Sequence, residues 1–252
     1  ELPTELGAQK MVFLPRHGRG HRIPPSELNF RANIDCLKRA GVTEIISLSA
    51  CGSFKEELAP GTFVIADQFI DRTFAREKSF FGTGLVAHVG LGYPVCSRLG
   101  DAIEAAIKGL DIPYQRGGTY LTMEGPQFST LAESELYRSW NCDVIGMTNM
   151  PEAKLAREAE MCYATVAMVT DYDCWREDGD AVDVAQVVAQ MQDNAELARK
   201  AVELFCRSLP RQRTPSPIDR ALDNAVITAP DKRDRGAMAR LDAIAGRVIS
   251  QG

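Results

Sequence analysis

Apolar positions along the chain fall into short β-rich runs separated by stretches of helical period. Met11 to Pro15 reads as a strand. Ser26 to Ala40 reads as a helix, with Ser26 at its N-cap and Gly41 just past its end. Glu44 to Ser49 (EIISLS) and Phe63 to Ile70 are short, nearly continuous apolar runs, the pattern of strands covered on both faces. Arg98 to Leu110 reads as helix, Tyr120 to Met123 as extended, Thr130 to Asn141 as helix and Val144 to Met147 as strand. Pro151 to Met161 is a helix with proline in its first turn, and Tyr163 to Thr170 is a strand. A long helix follows, in which Val184, Val188, Met191, Ala195, Ala198, Val202 and Phe205 recur at alternating steps of four and three, one apolar face. Pro210 to Pro217 (PRQRTPSP) is a charged, proline-rich break, and Gly236 to Ile249 predicts one final helix. The alternation of strand and helix predicts an α/β layered domain with a largely parallel sheet. Ligands in such sheets bind beyond the carboxyl ends of the strands. That singles out Arg16-His17, Ser49-Ala50, Met147-Thr148 and Asp171 to Asp173, each of which follows a predicted strand.

Composition narrows the possibilities. A chain of 252 residues, 45% hydrophobic and 25% charged, fits one large or two small globular domains and excludes a disordered or fibrous protein. With 34 acidic against 29 basic residues and no basic stripe, a nucleic-acid partner is not expected. The longest nearly uninterrupted apolar stretch, Tyr163 to Val169, is too short to span a bilayer. Seven cysteines (Cys36, Cys51, Cys96, Cys142, Cys162, Cys174, Cys206) form no CxxC pair, and an odd count argues against a complete disulfide framework. A reducing cytoplasm is the expected compartment. The first residue is Glu1 and no apolar signal segment follows it, so the numbering is expected to begin inside a longer gene product or after processing.

Four short segments carry candidate chemistry. Arg16-His17-Gly18-Arg19-Gly20-His21 holds two of the three histidines, with glycines that let a ligand approach the backbone and an arginine fork suited to an oxyanion. Zinc is disfavoured there, because glycines interrupt the His17–His21 spacing and no cysteine lies near in sequence, so no metal site is expected. Ser49-Ala50-Cys51-Gly52-Ser53 closes an apolar strand with small residues whose hydroxyls and N–H groups can form an anion nest, or merely a tight turn. Asp171-Tyr172-Asp173 places two carboxylates two residues apart. In extended chain both face one side, and two neighbouring carboxylates cannot both ionise cheaply, so one can hold a proton as a general acid. Glu124 to Ser129 follows a strand and opens a helix, and Phe128 there can stack on a planar ring or pack in the core. Val184, Val187 and Val188 read mainly as core, with only the first helical turn free to line a pocket.

Together, RHGRGHRIPPSELNFRANIDCLK, SACGSFKEELAPGTFVIADQFIDRT, MEGPQFSTLAESELYRSW and DVIGMTNMPEAKLAREAEMCYATVAMVTDYDCW resemble the 5′-methylthioadenosine phosphorylases, a branch of the trimeric purine nucleoside phosphorylases. The resemblance covers about residues 10 to 209. It implies a single nucleoside phosphorylase domain over residues 1–252, a three-layer α/β/α fold around a central mixed, largely parallel twisted sheet, with residues 210–252 as an extension carrying one helix. It also implies phosphorolysis of methylthioadenosine to adenine and 5-methylthioribose-1-phosphate, with inorganic phosphate as co-substrate and neither metal nor organic cofactor. Arg16, His17, Ser49, the N–H of Ala50 and Thr148 would then hold phosphate. Met147 would lie against the ribose and Phe128 on the purine. Asp171, with His17 the residues expected to be catalytic, would act on N7 of the leaving base, and Tyr172, Asp173 and Ser129 would complete the base pocket. Val184, Val187 and Val188 would accept the methylthio group, closed by His21 and by His88 of a neighbouring subunit in a homotrimer. Two departures stand out. The family's N-terminal strand and glycine-rich phosphate turn precede Glu1 and are missing from the sequence, and Gly146 and Asn149 stand where animal members carry Asn and Thr. Rival readings are a methylthioinosine or general purine nucleoside phosphorylase, a water-using nucleosidase, and a non-catalytic nucleoside-binding protein.

Overall fold

Strand and helix alternate through residues 4–6, 9–176 and 184–249, the residues that this computed structural model describes. The strands are β1 (Thr4–Leu6), β2 (Gln9–Met11), β3 (Glu44–Ser53), β4 (Phe63–Ile65), β5 (Gln68–Asp71), β6 (Tyr114–Arg116), β7 (Thr119–Thr122), β8 (Val144–Gly146) and β9 (Cys162–Asp171). The helices are α1 (Phe30–Arg39), α2 (Ser97–Lys108), α3 (Leu131–Ser139), α4 (Asn149–Glu158), α5 (Val184–Ser208), α6 (Arg235–Arg240) and α7 (Asp242–Ile249). Seven strands form one mixed sheet in the order β5-β7-β8-β3-β9-β4-β6, while β1 and β2 form a separate antiparallel pair. Within the large sheet only β3–β8 and β4–β9 are antiparallel; the other four pairings are parallel.

The central strand β9 shows why the layers form. Its side chains alternate between faces. Cys162, Ala164, Val166 and Met168 join a core with Leu99, Ile103, Ile107, Ala198 and Phe205 from α2 and α5. Tyr163 faces the other way, into a core built by Ile34 and Leu37 of α1, Leu155 and Ala156 of α4, and Ile244 and Ile249 of α7. This is the three-layer α/β/α arrangement.

Several elements differ from their sequence-based outlines. The strand expected at Met11 to Pro15 is instead Gln9–Met11, paired with Thr4–Leu6; beyond it Phe13 and Leu14 are exposed and Pro15 has no N–H to give a ladder. Helix α1 starts at Phe30, capped by Asn29, whose side chain accepts from the Ala32 N–H at 3.0 Å. Ser26 lies in a preceding 3-10 turn, where the Pro24-Pro25 pair holds the chain out of an α-helix. The run Phe63 to Ile70 is broken into β4 and β5, which lie at opposite sides of the sheet.

The C-terminal stretch carries two helices rather than one, because Leu241 leaves helical geometry between α6 and α7. It also packs tightly on the rest of the chain. Leu222, Ala225, Leu241, Ile244 and Ile249 are buried in the α1/α4 core, and Arg247 bonds the buried Glu160 carboxylate through Nε at 2.9 Å.

Candidate active site

At the carboxyl end of the central strands, β3 has β9 along its whole length on one side. On the other side β8 joins it only at Gly52 and Ser53. Ser49 and Ala50 therefore line a gap between strands, and Met147 and Thr148 run alongside as β8 leaves the sheet to open α4. The gap is polar at its base. Arg16 reaches in from the loop after β2 and makes a two-pronged contact with Glu152, Nε to Oε2 at 2.7 Å and Nη2 to Oε1 at 2.8 Å. Nη2 also donates to Ser47 Oγ at 2.6 Å, and the Tyr163 hydroxyl donates to Glu152 Oε1 at 2.9 Å. Nη1 is the arm of the fork that these bonds do not use. Burial alone would lower the Arg16 pKa, but the charge and hydrogen bonds of Glu152 together outweigh it and hold the guanidinium fully protonated. Glu152 is held below the usual carboxylate range: Arg16 overcomes the burial that would raise it.

Ser49 and Thr148 belong to the same cluster. Their hydroxyl oxygens lie 3.5 Å apart, and Ser49 Oγ lies 2.9 Å from the Tyr120 hydroxyl. Asn149, next to Thr148, accepts from Ser47 Oγ at 3.3 Å and donates to Thr165 Oγ1 at 2.8 Å. Arg16, Ser49 and Thr148 are thus joined through Ser47 and Asn149 into one buried hydroxyl-and-guanidinium cradle, a chemistry suited to a small oxyanion. His17 is half-buried beside it, its Nδ1 donating to the Ile23 carbonyl at 2.9 Å and its ring stacked on His21 at 4.1 Å. Burial lowers the His17 pKa, which favours the neutral ring with Nε2 as an acceptor.

The carboxylates lie further along the same strands. Gly52 of β3 is in register with Asp171 of β9, three residues, or about 10 Å, beyond Ser49. A Cβ at Gly52 would stand 3.0 Å from Asp171 Oδ1 and 3.4 Å from Asp173 Cβ, so both acids face one spot and only glycine leaves it open. The alternation of an extended strand does not bring them there. The strand ends at Asp171, and Asp173, at φ +54°, turns back so that its N–H donates to Asp171 Oδ1 at 2.8 Å. Burial raises both carboxyl groups above their usual range, and the Asp171 charge adds to the effect on Asp173. The Thr170 hydroxyl is 2.7 Å from Asp171 Oδ2 and 3.1 Å from the Cys51 carbonyl. With one proton and two acceptors it can serve Asp171 in either protonation state.

The remaining expected positions fall into three groups. Met147 is half-buried against Gly125, where a Cβ would stand 2.5 Å from its Sδ. Phe128 is 47% exposed, and Ser129 accepts through its carbonyl from Cys174 Sγ at 3.3 Å, so the segment after β7 borders the acidic end. Tyr172 points elsewhere, its hydroxyl donating to the Glu56 carbonyl at 3.2 Å. The first turns of α5 are oriented by Asn194, whose side-chain amide donates to the Val169 carbonyl at 3.0 Å. Val187 there is half-buried and Val188 exposed, while the side chain of Val184 lies outside the described residues. The apolar stripe of α5 is therefore core only from Ala198 onward; Val188 and Met191 are uncovered within this chain. His88 is exposed on a different strip, where residues 86–88 run beside 225–227.

Sequence reasoning did not single out Ser47, Tyr120, Glu152 or Tyr163. Glu152 had a signal, an acidic residue four positions after Thr148 in an otherwise apolar helix start. Nor did it find Arg76, whose side chain is 1% exposed and whose guanidinium ties the two loops together. It bonds the Glu124 carbonyl at 2.6 Å, the Met147 carbonyl at 2.6 Å and the Met150 carbonyl at 2.8 Å. Among the described residues no group of three His, Cys, Asp or Glu side chains could hold a metal ion, and no helix is long and apolar enough to cross a membrane.

The model of the phosphorylase superfamily matches residues 4–207. The chain belongs to it. An S-methyl-5′-thioadenosine phosphorylase of Rhodospirillum rubrum is 63% identical over 98% of this chain and 85% of that protein, and one of Bradyrhizobium diazoefficiens 60% identical over 95% and 83%. Among solved structures, a methylthioadenosine phosphorylase from an Antarctic soil metagenomic library superposes with TM-score 0.91 at 43% identity, over 96% of this chain and 85% of that one. The methylthioadenosine phosphorylase of Schistosoma mansoni in complex with adenine gives 0.78 at 35% identity, over 81% and 78%.

Proposed function

We propose that the protein is an S-methyl-5′-thioadenosine phosphorylase, which with inorganic phosphate cleaves methylthioadenosine to adenine and 5-methylthioribose-1-phosphate. The observation that carries this reading is the spacing of the two polar ends of the site. The Arg16–Ser49–Thr148 cradle and the Asp171–Asp173 pair lie about 10 Å apart along neighbouring strands, the span of a ribosyl group between an attacking oxyanion and a departing base. Phosphate in the cradle supplies the oxygen that bonds to C1′ and stabilises the oxocarbenium-like transition state from one side. The C1′–N9 bond breaks with its electron pair passing to the base, and Asp171 gives its proton to N7. Met147 lies against the ribose, Phe128 on the purine, and Asp173 and Ser129 at the 6-amino edge. The apolar start of α5, Val184, Val187 and Val188, receives the methylthio group. No step needs a metal or an organic cofactor.

The reading includes a homotrimer in which His21 and a neighbour's His88 close the methylthio end. Exposed Phe74, Leu131 and Val188, at 82, 53 and 47%, support it, because apolar surface of this kind beside a site suits a covering subunit. A cytoplasmic location agrees with seven unpaired cysteines.

The test is adenine release from methylthioadenosine at increasing phosphate. The rate should saturate with phosphate and yield the sugar phosphate; phosphate-independent release of free methylthioribose would make the protein a nucleosidase. Because burial raises the Asp171 pKa, the proton donor is intact at low pH and is lost as pH rises through that raised value. The pH profile of kcat/KM should therefore carry a falling limb on its alkaline side, and a profile flat there would remove Asp171 from the acid role.

A further inference from the structure

Tyr120 sits beneath the cradle and is fully buried, yet it was not part of any expected site. Its position depends on a glycine. A Cβ built on Gly146 would fall 1.7 Å from the Tyr120 hydroxyl oxygen and 2.6 Å from Cζ, so the phenol occupies the volume that any side chain at 146 would take. The hydroxyl lies 2.9 Å from Ser49 Oγ. Burial pushes the Tyr120 pKa well above its usual value, so the phenol keeps its proton. A buried phenol O–H donates where it can, and Ser49 Oγ is the acceptor within reach. That fixes the direction of the hydrogen bond. Ser49 accepts from Tyr120, and its own proton, directed at the Ala50 carbonyl 3.2 Å away, is free to turn to a ligand. Accepting one hydrogen bond also strengthens a hydroxyl as a donor.

We propose that Tyr120, admitted by Gly146, is a positioning residue for the anion subsite: it orients Ser49 so that the serine hydroxyl donates to the bound oxyanion. The inference rests on the phosphate-binding reading given above. Tyr120 touches neither substrate and acts only through Ser49, so its effect belongs to phosphate rather than to the nucleoside.

The experiment is steady-state kinetics of Tyr120→Phe, which keeps the ring and its packing and removes only the hydroxyl. One neutral hydrogen bond corresponds to a rise in KM for phosphate of about three- to tenfold, with kcat within about twofold and KM for methylthioadenosine unchanged. In a Ser49→Ala background the same substitution should add nothing, since the residue through which it acts is gone. Gly146→Ala, which drives the hydroxyl away from the opposite side, should raise the phosphate KM in the same way and serves if Tyr120→Phe proves too unstable to assay. An unchanged phosphate KM in Tyr120→Phe overturns the proposal, as does an equal increase with and without Ser49. Wild-type turnover that ignores phosphate would instead refute the phosphorylase reading, so the two failures are distinguishable.

Discussion

Asp171→Asn is expected to slow cleavage of methylthioadenosine by about 10²–10⁴-fold, the usual loss when a positioned proton donor is removed. The substitution isolates chemistry from folding because the surroundings can accommodate an amide. Asn Oδ1 can still accept from the Asp173 N–H, now 2.8 Å from Asp171 Oδ1. The amide NH₂ can donate to Thr170 Oγ1, whose proton then goes to the Cys51 carbonyl 3.1 Å away. What is lost is a transferable proton. What is gained is a permanent donor, which suits a 6-oxopurine better than a 6-aminopurine. The ratio of inosine-type to adenosine-type cleavage should therefore rise, and the alkaline limb of the pH profile should vanish with the carboxyl group. Parallel kcat/KM measurements on methylthioadenosine and methylthioinosine give the answer. An unchanged ratio would mean that Asp171 does not face the base.

The main layers were legible because β9 is buried on both faces and therefore reads as an almost unbroken apolar run, and because α2 has a buried stripe of helical period. Boundaries failed where a local competitor was stronger than the pattern. Ser26 has the chemistry of a helix cap, but two prolines place it in a 3-10 turn, where its hydroxyl donates to the Glu124 carbonyl at 3.1 Å instead. The apolar residues of the first α5 turns have the right period for a core helix, yet the buried position there is Asn194, bonded to the end of β9.

At the site, most of the segments that would touch a ligand could be named because they lie at or just past strands of the large sheet, whereas Arg16 and His17 enter from the loop after β2, which is not part of it. The supporting tier could not be named. Glu152, Tyr163 and Tyr120 come from a helix, a strand and another strand. Nothing in their spacing says that the first two converge on Arg16 and the third on Ser49. Gly146 illustrates the limit: as a sequence position it is merely a missing side chain, and only the fold shows whose hydroxyl fills the space.

Arg16→Leu should abolish phosphate-dependent turnover and also cost about 3–5 kcal/mol of stability, the range for leaving one partner of a buried ion pair unpaired. Both side chains are largely withdrawn from water, at 14% and 7% exposure for Arg16 and Glu152. Removing the guanidinium leaves a carboxylate whose negative charge has lost two short bonds and the opposite charge that faced it. The loss of stability is then an electrostatic effect of Glu152, whereas the loss of activity is an effect of Arg16 on the anion. A double substitution separates the two. Arg16→Leu with Glu152→Leu replaces the pair by apolar groups, which is commonly neutral or stabilising, so urea unfolding should return most of the missing stability while the enzyme stays inactive. If the double variant is no more stable than the single one, the pair does not owe its cost to an orphaned carboxylate. If the single variant keeps normal phosphate saturation, Arg16 serves the fold and the anion is held by the hydroxyls of Ser49 and Thr148 without it.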